Sequence, residues 1–255
     1  MYKLKLVSTV FVCGALFLSG CTSTVKSVHR DDSVKVNAME ASSVDFKGAK
    51  LRVGVVNFEN NAARKVRDIE IVATNILTTM LQESGQFIVV PRQDLDAILD
   101  QQDLSVSEII GPNTAVHLGK VLGLNAILTG SITSYAELVE SSNTILTQSK
   151  TLVAKVGVDY RIVDTTTGVQ LFASHGNGEF RKTSGGLLGF GSKSSADTSL
   201  KDGALRDALA KAMNKITEQL TSDLWSGRIA QIKDDFIYIN AGKQTGLRIG
   251  DTLIV

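Results

Sequence analysis

A chain of 255 residues, 43% hydrophobic and with only two prolines, has the material for a sizeable buried core. Its 27 basic and 26 acidic residues nearly cancel to a net charge of +1, and no Lys/Arg-rich run alternates with aromatics, so no nucleic-acid partner is expected. The three histidines, His29, His117 and His175, lack any His-x-x-x-His spacing and read as structural or surface residues, so no catalytic site, metal or cofactor is expected.

In chain order, Lys3 and Lys5 precede an apolar run from Leu6 to Leu18, and Leu18-Ser19-Gly20-Cys21 follows it. Charge, apolar core and small residues in that order form a secretory signal, and the run is too short for a membrane span. The tetrad resembles the bacterial lipobox, which implies cleavage before Cys21 and acylation of its thiol and amino group. Because Thr22 stands where a sorting Asp would, the resemblance also implies the outer membrane, with the chain on its periplasmic face. Cys13 leaves with the leader, so Cys21 has no disulfide partner, and an acylated thiol is no nucleophile. At about 0.8 kcal/mol per buried methylene, several acyl chains make a permanent anchor.

From Thr22 to about Gly48 no apolar period is sustained, and the stretch reads as a tether. Lys50–Phe58 is a compact β run stiffened by Val53, Val55 and Val56. Ala63–Ser84 carries Val66, Ile69, Ala73, Ile76, Leu77, Met80 and Leu81 at helical spacing, and Gly85 stops it. Gln86–Val90 is a short strand. A short helix follows Pro91 through Leu95, Ile98 and Leu99, and another spans Thr114–Leu122 and ends at Gly123.

Asn125–Leu171 reads as two long strands and a tight turn at Thr165-Thr166-Thr167-Gly168. Leu152, Ala154, Val156, Val158, Tyr160 and Ile162 alternate with Lys155, Asp159 and Arg161, the pattern of a half-buried strand. A third strand begins at Val169–Phe172. Leu200–Leu224 is a second major helix, its stripe formed by Leu205, Leu209, Met213, Ile216, Leu220 and Leu224, with Ala204, Ala208 and Ala212 permitting close approach. Trp225–Val255 holds short β runs at Arg228–Lys233, Phe236–Ala241 and Leu253–Val255 and resembles a small SH3-like barrel.

The remaining candidates for chemistry have plainer readings. Gly185-Gly186-Leu187-Leu188-Gly189-Phe190-Gly191 lacks both phosphate-loop patterns and reads as a hairpin tip. Gly242-Lys243 is a turn. Asp94, Asp96, Asp100 and Asp103 alternate with Leu95, Ile98 and Leu99 as a solvated helix face.

The order and spacing of Val53-Gly54-Val55-Val56-Asn57-Phe58, Phe87-Ile88-Val89-Val90 with Arg92 and Leu95, Ala126–Ile132, Val158–Gly168 and the Leu205–Leu220 helix resemble the curli production assembly/transport family, the CsgG-type outer-membrane lipoproteins. The resemblance covers roughly Lys50 to Trp225. It implies a ring-forming periplasmic α/β domain, a mixed sheet flanked by helices in an α/β sandwich, with two extended β-hairpins at about Tyr135–Leu152 and Gly176–Leu200. The expected organisation is a signal peptide at 1–20, a tether at 21–48, the α/β domain at 49–225 and a small SH3-like β unit at 226–255.

The function this implies is an outer-membrane lipoprotein, a homo-oligomeric ring or channel for secretion and assembly of extracellular protein subunits. A membrane strand needs ~9–11 residues, apolar at every second position. Glu137, Glu140, Ser141, Ser142, Asn143, Gln148, Ser149 and Lys150 make the first hairpin polar, as do Glu179, Arg181, Lys182, Lys193 and Asp197 the second. The alternative is a ring or adaptor lipoprotein that never spans the membrane and serves a periplasmic machine such as a flagellar basal-body ring or a peptidoglycan-synthesis complex.

Overall fold

The computed structural model describes residues 48–100, 111–143, 147–187, 198–222 and 225–254. Its centre is a mixed sheet. Strand β1 (Leu51–Val55) pairs in parallel with β3 (Phe87–Val89) on one side and β4 (Ala126–Asn143) on the other. The two-residue strand β2 (Glu59–Asn60), which periodicity does not announce, also runs parallel to β4. Beyond β4 the sheet is antiparallel, through β5 (Thr147–Asp164) to β6 (Gln170–Leu187), so the order is β3-β1-β4-β5-β6.

Helices α1 (Ile69–Glu83) and α4 (Thr198–Thr221) cover one face, where Val53, Leu128, Ile132, Val158 and Ile162 meet Ile69, Leu77, Leu205 and Leu209. Helices α2 (Arg92–Asp100) and α3 (Pro112–Leu122) close a smaller core on the other face, around Val56, Leu95, Leu118, Ile127 and Val163. The alternation expected along β5 is observed, with Ala154, Val156, Val158, Tyr160 and Ile162 all buried. A sheet carrying helices on both faces is the only way to bury both sides of β1, whose crossovers to β3 and β4 are parallel.

Helix α1 starts later than its apolar stripe. Asp68 takes a left-handed conformation, φ 57°, immediately before Ile69. The preceding segment is held as a loop by the Asn60 side-chain amide donating to the Val66 carbonyl at 3.1 Å and by the Lys65 ammonium donating to the Asn60 carbonyl. Val66 packs against the core from that loop, which is why periodicity included it in the helix.

Between β5 and β6 the chain turns where four residues of turn chemistry predict it. Gly168 adopts φ +73°, its amide donates to the Asp164 carbonyl at 2.9 Å, and Thr165 is fully buried with its hydroxyl on the Leu124 carbonyl. In β4 a bulge lies between Ile132, opposite Val158, and Ser134, opposite Gly157. Thr133 is the extra residue, and both the Thr133 and Ser134 hydroxyls occupy the space beside Gly157 that a side chain would need.

The carboxy-terminal segment forms a two-stranded antiparallel hairpin, β7 (Ile229–Lys233) with β8 (Phe236–Ile239), and a 3-10 turn at Lys243–Thr245. The expected barrel is not what the described residues build: Leu253 and Ile254 lie outside any strand, and Val255 is outside the described residues. The segment is instead tied back to the α/β body. The Lys50 amide donates to the Thr245 carbonyl at 2.6 Å, the Asn125 amide side chain to the Ser226 carbonyl at 2.9 Å, and the Arg228 guanidinium to the Thr165 carbonyl at 2.9 Å.

Candidate assembly arm

Strands β4, β5 and β6 are each 18 residues long, and their outer halves leave the body together as a three-stranded arm. Pairing runs from Ala126 opposite Asp164 to Asn143 opposite Gln148, broken by the Thr133 bulge, and from Gln170 opposite Val163 to Leu187 opposite Thr147, with one shift where Ile162 opposes Phe172 and Val163 opposes Gln170.

The arm is fixed to the body where β6 meets α4. A Cβ on Gly178 would lie 2.0 Å from the Ala204 carbonyl oxygen and 2.6 Å from the Ala208 amide nitrogen, and one on Gly176 would lie 2.9 Å from the Ala208 carbonyl oxygen. Next to Ala204 on the helix, Gly203 receives the ring of Phe180, whose Cγ would be 2.4 Å from an added Cβ. Small residues on both partners let a strand and a helix backbone touch. The alanine spacing on α4 is legible in sequence; its complement, Gly176 and Gly178 on alternate positions of β6, is a signal that sequence reasoning missed. Residues 181–187 carry β6 beyond Phe180 by about 24 Å at ~3.4 Å per residue.

On the face away from α4, charges from all three strands join. Lys155 on β5 lies 3.5 Å from Glu179 on β6, Glu179 lies 2.6 Å from Arg181, and Arg181 reaches past β5 to Glu140 on β4 at 3.0 Å. Val153, opposite Arg181 and Leu138 in register, is buried on the same face. The hydrogen bond from Arg181, followed by the positive charges of Arg181 and Lys155, holds the Glu179 carboxyl below its ordinary value. On the helix side, Tyr135 donates its hydroxyl to Glu137 at 2.7 Å, and Arg64 lies 3.5 Å from the same carboxylate. Burial first, and then the bond to Glu137, push the Tyr135 phenol above its ordinary range.

Both edges of the arm are open. Beyond Ile132 the only strand paired with β4 is β5, and β6 pairs only with β5 along its whole length, among the described residues. Such edges present backbone donors and acceptors as a template for another strand. Near the base of β6 two are already taken, the Glu179 amide donating to Asp207 at 2.9 Å and Lys211 donating to the Asn177 carbonyl at 3.1 Å, so the β6 edge is open beyond Glu179. The exposed large apolar side chains described on the arm are Leu138 and Val139.

The sequence-predicted segments fall as follows. Tyr135–Leu152 spans the outer part of the β4–β5 hairpin. Of Gly176–Leu200, residues 176–187 belong to β6 and 198–200 open α4, while 188–197 lie outside the described residues. Gly185 and Gly186 are strand residues opposite Ser149 and Gln148, not the tip of a turn. Cys21, the expected lipidation site, lies outside the described residues, as does Asp103. His117 sits on α3, and His175 on β6 faces Asp159 in register. Asp96 pairs with Arg92 at 3.2 Å on α2. Among the described residues no group of three or more His, Cys, Asp or Glu side chains is placed to hold a metal, and no helix is long and apolar enough to cross a membrane.

A protein of Neisseria meningitidis serogroup B whose name assigns it as a lipoprotein, NMB1126/NMB1164, is 24% identical over 237 residues, covering 87% of this chain and 98% of its own length. Among solved structures, the carboxy-terminal domain of LpoB from Salmonella enterica is 17% identical, with 54% of this chain and 89% of that chain covered and a TM-score of 0.37. The PelC dodecamer from Paraburkholderia phytofirmans is 13% identical, with 74% and 96% covered and a TM-score of 0.33. Residues 18–247, nearly the whole chain, match the family described as curli production assembly/transport component CsgG, and the chain belongs to that family.

Proposed function

We propose that this chain is a lipoprotein, anchored through Cys21 on the periplasmic face of the outer membrane, that assembles with copies of itself into a ring and serves the export or assembly of extracellular protein. Family membership, the lipobox-like leader and the lipoprotein name of the Neisseria relative support this reading. The observation that carries it is the arm, whose three long strands have one open edge on β4 and another on β6. Two different edges on one subunit make a head-to-tail contact, which closes into a ring when the rotation per copy closes.

A second reading, a ring or adaptor whose arms stay in the periplasm and serve a periplasmic machine, is favoured by two features of the same arm. Its outer residues are mostly hydroxyl, amide and charged types, with no alternating apolar row. Moreover, β4 and β6 are both antiparallel to β5 and so run in the same direction. Joining the described β6 of one copy to β4 of the next makes a parallel seam, whereas bacterial outer-membrane barrels are antiparallel with an even strand number.

Electron microscopy of the detergent-extracted protein, with conductance of the same sample in a planar bilayer, tests both readings. Rings are expected in either case. Stepwise conductance supports the channel, and rings that stay silent support the adaptor. A monodisperse monomer at all concentrations refutes assembly itself.

A further inference from the structure

Away from the arm, a pocket of about 320 Å³ opens on the face of the sheet opposite α1 and α4, beside the turn between β5 and β6. Thr129 of β4 and Arg161 of β5, directly opposite in register, both line it, and Pro112, Val163 and Val169 supply apolar wall. Thr129 is nine-tenths buried, and among the described residues its side-chain hydroxyl has no hydrogen-bond partner.

Arg161 is half-buried, and its isolation distinguishes it from the other half-buried arginines. Arg52 donates to the Leu122 carbonyl at 3.1 Å, Arg228 to the Thr165 carbonyl, Arg92 pairs with Asp96, and Arg181 with Glu140. Among the described residues, Arg161 pairs with none. A planar guanidinium with free donors, next to a buried hydroxyl, is the geometry that receives a carboxylate in two parallel hydrogen bonds.

The rest of the pocket narrows the ligand. A single positive charge, with Asp159 two residues away on the same face of β5, suits a monoanion better than a dianionic phosphate. Apolar walls favour a carboxylate borne on an apolar group. The volume lies near the lower end of the ~300–1,000 Å³ range of ligand sites, enough for the end of a chain. Gln170 also lines the pocket and is the first residue of the edge strand β6, so an extended peptide held at Arg161 meets unpaired backbone as it leaves.

We propose that the Arg161 pocket captures the terminal carboxylate of a polypeptide ending in a small apolar residue. This assignment does not rest on the ring-assembly reading. The test is fluorescence anisotropy of the full-length protein in detergent with a fluorescein-labelled peptide, Ala-Gly-Ser-Gly-Val, as free acid and as carboxy-terminal amide. The free acid is expected to bind at least about tenfold tighter than the amide. Arg161→Gln should bring the acid down to the amide's affinity, Arg161→Lys should restore part of the difference, and Thr129→Val should lose less than Arg161→Gln. Equal binding of acid and amide, or indifference to Arg161→Gln in a variant whose melting is unchanged, overturns the proposal. Two further probes bear on the chemistry. Displacement by inorganic phosphate at lower concentration than by the unlabelled acid would assign the site to phosphate and overturn it. Tighter binding of a peptide amide carrying an aspartate side chain would overturn the assignment to a chain terminus.

Discussion

Gly178→Ala is the sharpest probe of how the arm is held. The added methyl would sit 2.0 Å from the Ala204 carbonyl oxygen, where ordinary contact begins near 3.4 Å, so β6 and α4 must separate locally by roughly 1.4 Å. That atom belongs to the helix backbone, so no side-chain rotation relieves the clash, and shortening Ala208 to glycine leaves it in place. A radial gap of about 0.5–1 Å already forfeits a quarter to a half of the dispersion energy of each contact, so neighbouring contacts along β6 and α4 weaken together. Overpacking costs about 1–3 kcal/mol, and this geometry belongs at the upper end. The narrower unfolded ensemble of alanine offsets about 0.4–1 kcal/mol. A net loss of about 2 kcal/mol lowers the melting temperature by about 4–8 °C for a chain of this size. Thermal melting followed by circular dichroism measures it. Gly242→Ala, in extended backbone with nothing within 4 Å of the added carbon, serves as the control and should melt like the parent. A Gly178→Ala variant that melts with the control refutes the backbone contact between β6 and α4.

Other outcomes follow from the same geometry. Cys21→Ser should leave the protein in the soluble periplasmic fraction or held with an uncleaved leader; unchanged recovery with outer membranes from cells shows that the lipid is not the anchor. Glu179 has a depressed folded pKa, so its stabilising effect is full above the ordinary value of 4.5 and is lost as pH falls through the lowered folded value. Accordingly Glu179→Gln should be less stable than the parent by about 0.5–1 kcal/mol near neutrality, with the difference vanishing in acid; a gap that persists at the lowest pH contradicts the charge network. Tyr135→Phe removes the 2.7 Å bond to Glu137 from a buried ring and should cost about 1 kcal/mol by the urea midpoint, whereas an unchanged midpoint makes that bond inconsequential.

Much of the body is legible in the sequence because one periodicity dominates each element. The apolar alternation of Leu152–Ile162 and the 3.6-residue stripe from Leu205 to Leu220 each specify an element and its buried face. The apolar stripe overstates the length of helix α1 because Val66 packs as an apolar side chain without being helical, and the left-handed Asp68 that separates it from Ile69 leaves no periodic trace. The two-residue strand β2 is too short for any period. In the arm, the Arg181–Glu140 bridge joins residues 41 apart in sequence and depends on a register that composition does not reveal. Of the carboxy-terminal β runs, Arg228–Lys233 and Phe236–Ala241 are legible and pair as β7 and β8, whereas Leu253 and Ile254 have strand-like side chains but no strand partner, and the segment is tied by hydrogen bonds back to Lys50 and Asn125.

The unpaired Thr133 also governs how this architecture can change. Ahead of it, Ile132 points to the α4 side of the sheet; beyond it, Tyr135 does so again, in a phase offset by one residue. Deleting Thr133 would remove the bulge yet leave Ser134 opposite Gly157 and Tyr135 opposite Val156, whereas deleting one residue beyond it, such as Ala136, would turn the rest of the strand over, exchanging Glu137 and Val139 for Leu138 and Glu140, and would break the Tyr135–Glu137 and Arg181–Glu140 contacts at once. Matched pairs of residues added farther out would leave every facing intact and advance the tip by about 7 Å per pair. Beyond the bulge the arm therefore keeps its facing only when its length changes in two-residue steps, unless a further bulge takes up the odd residue.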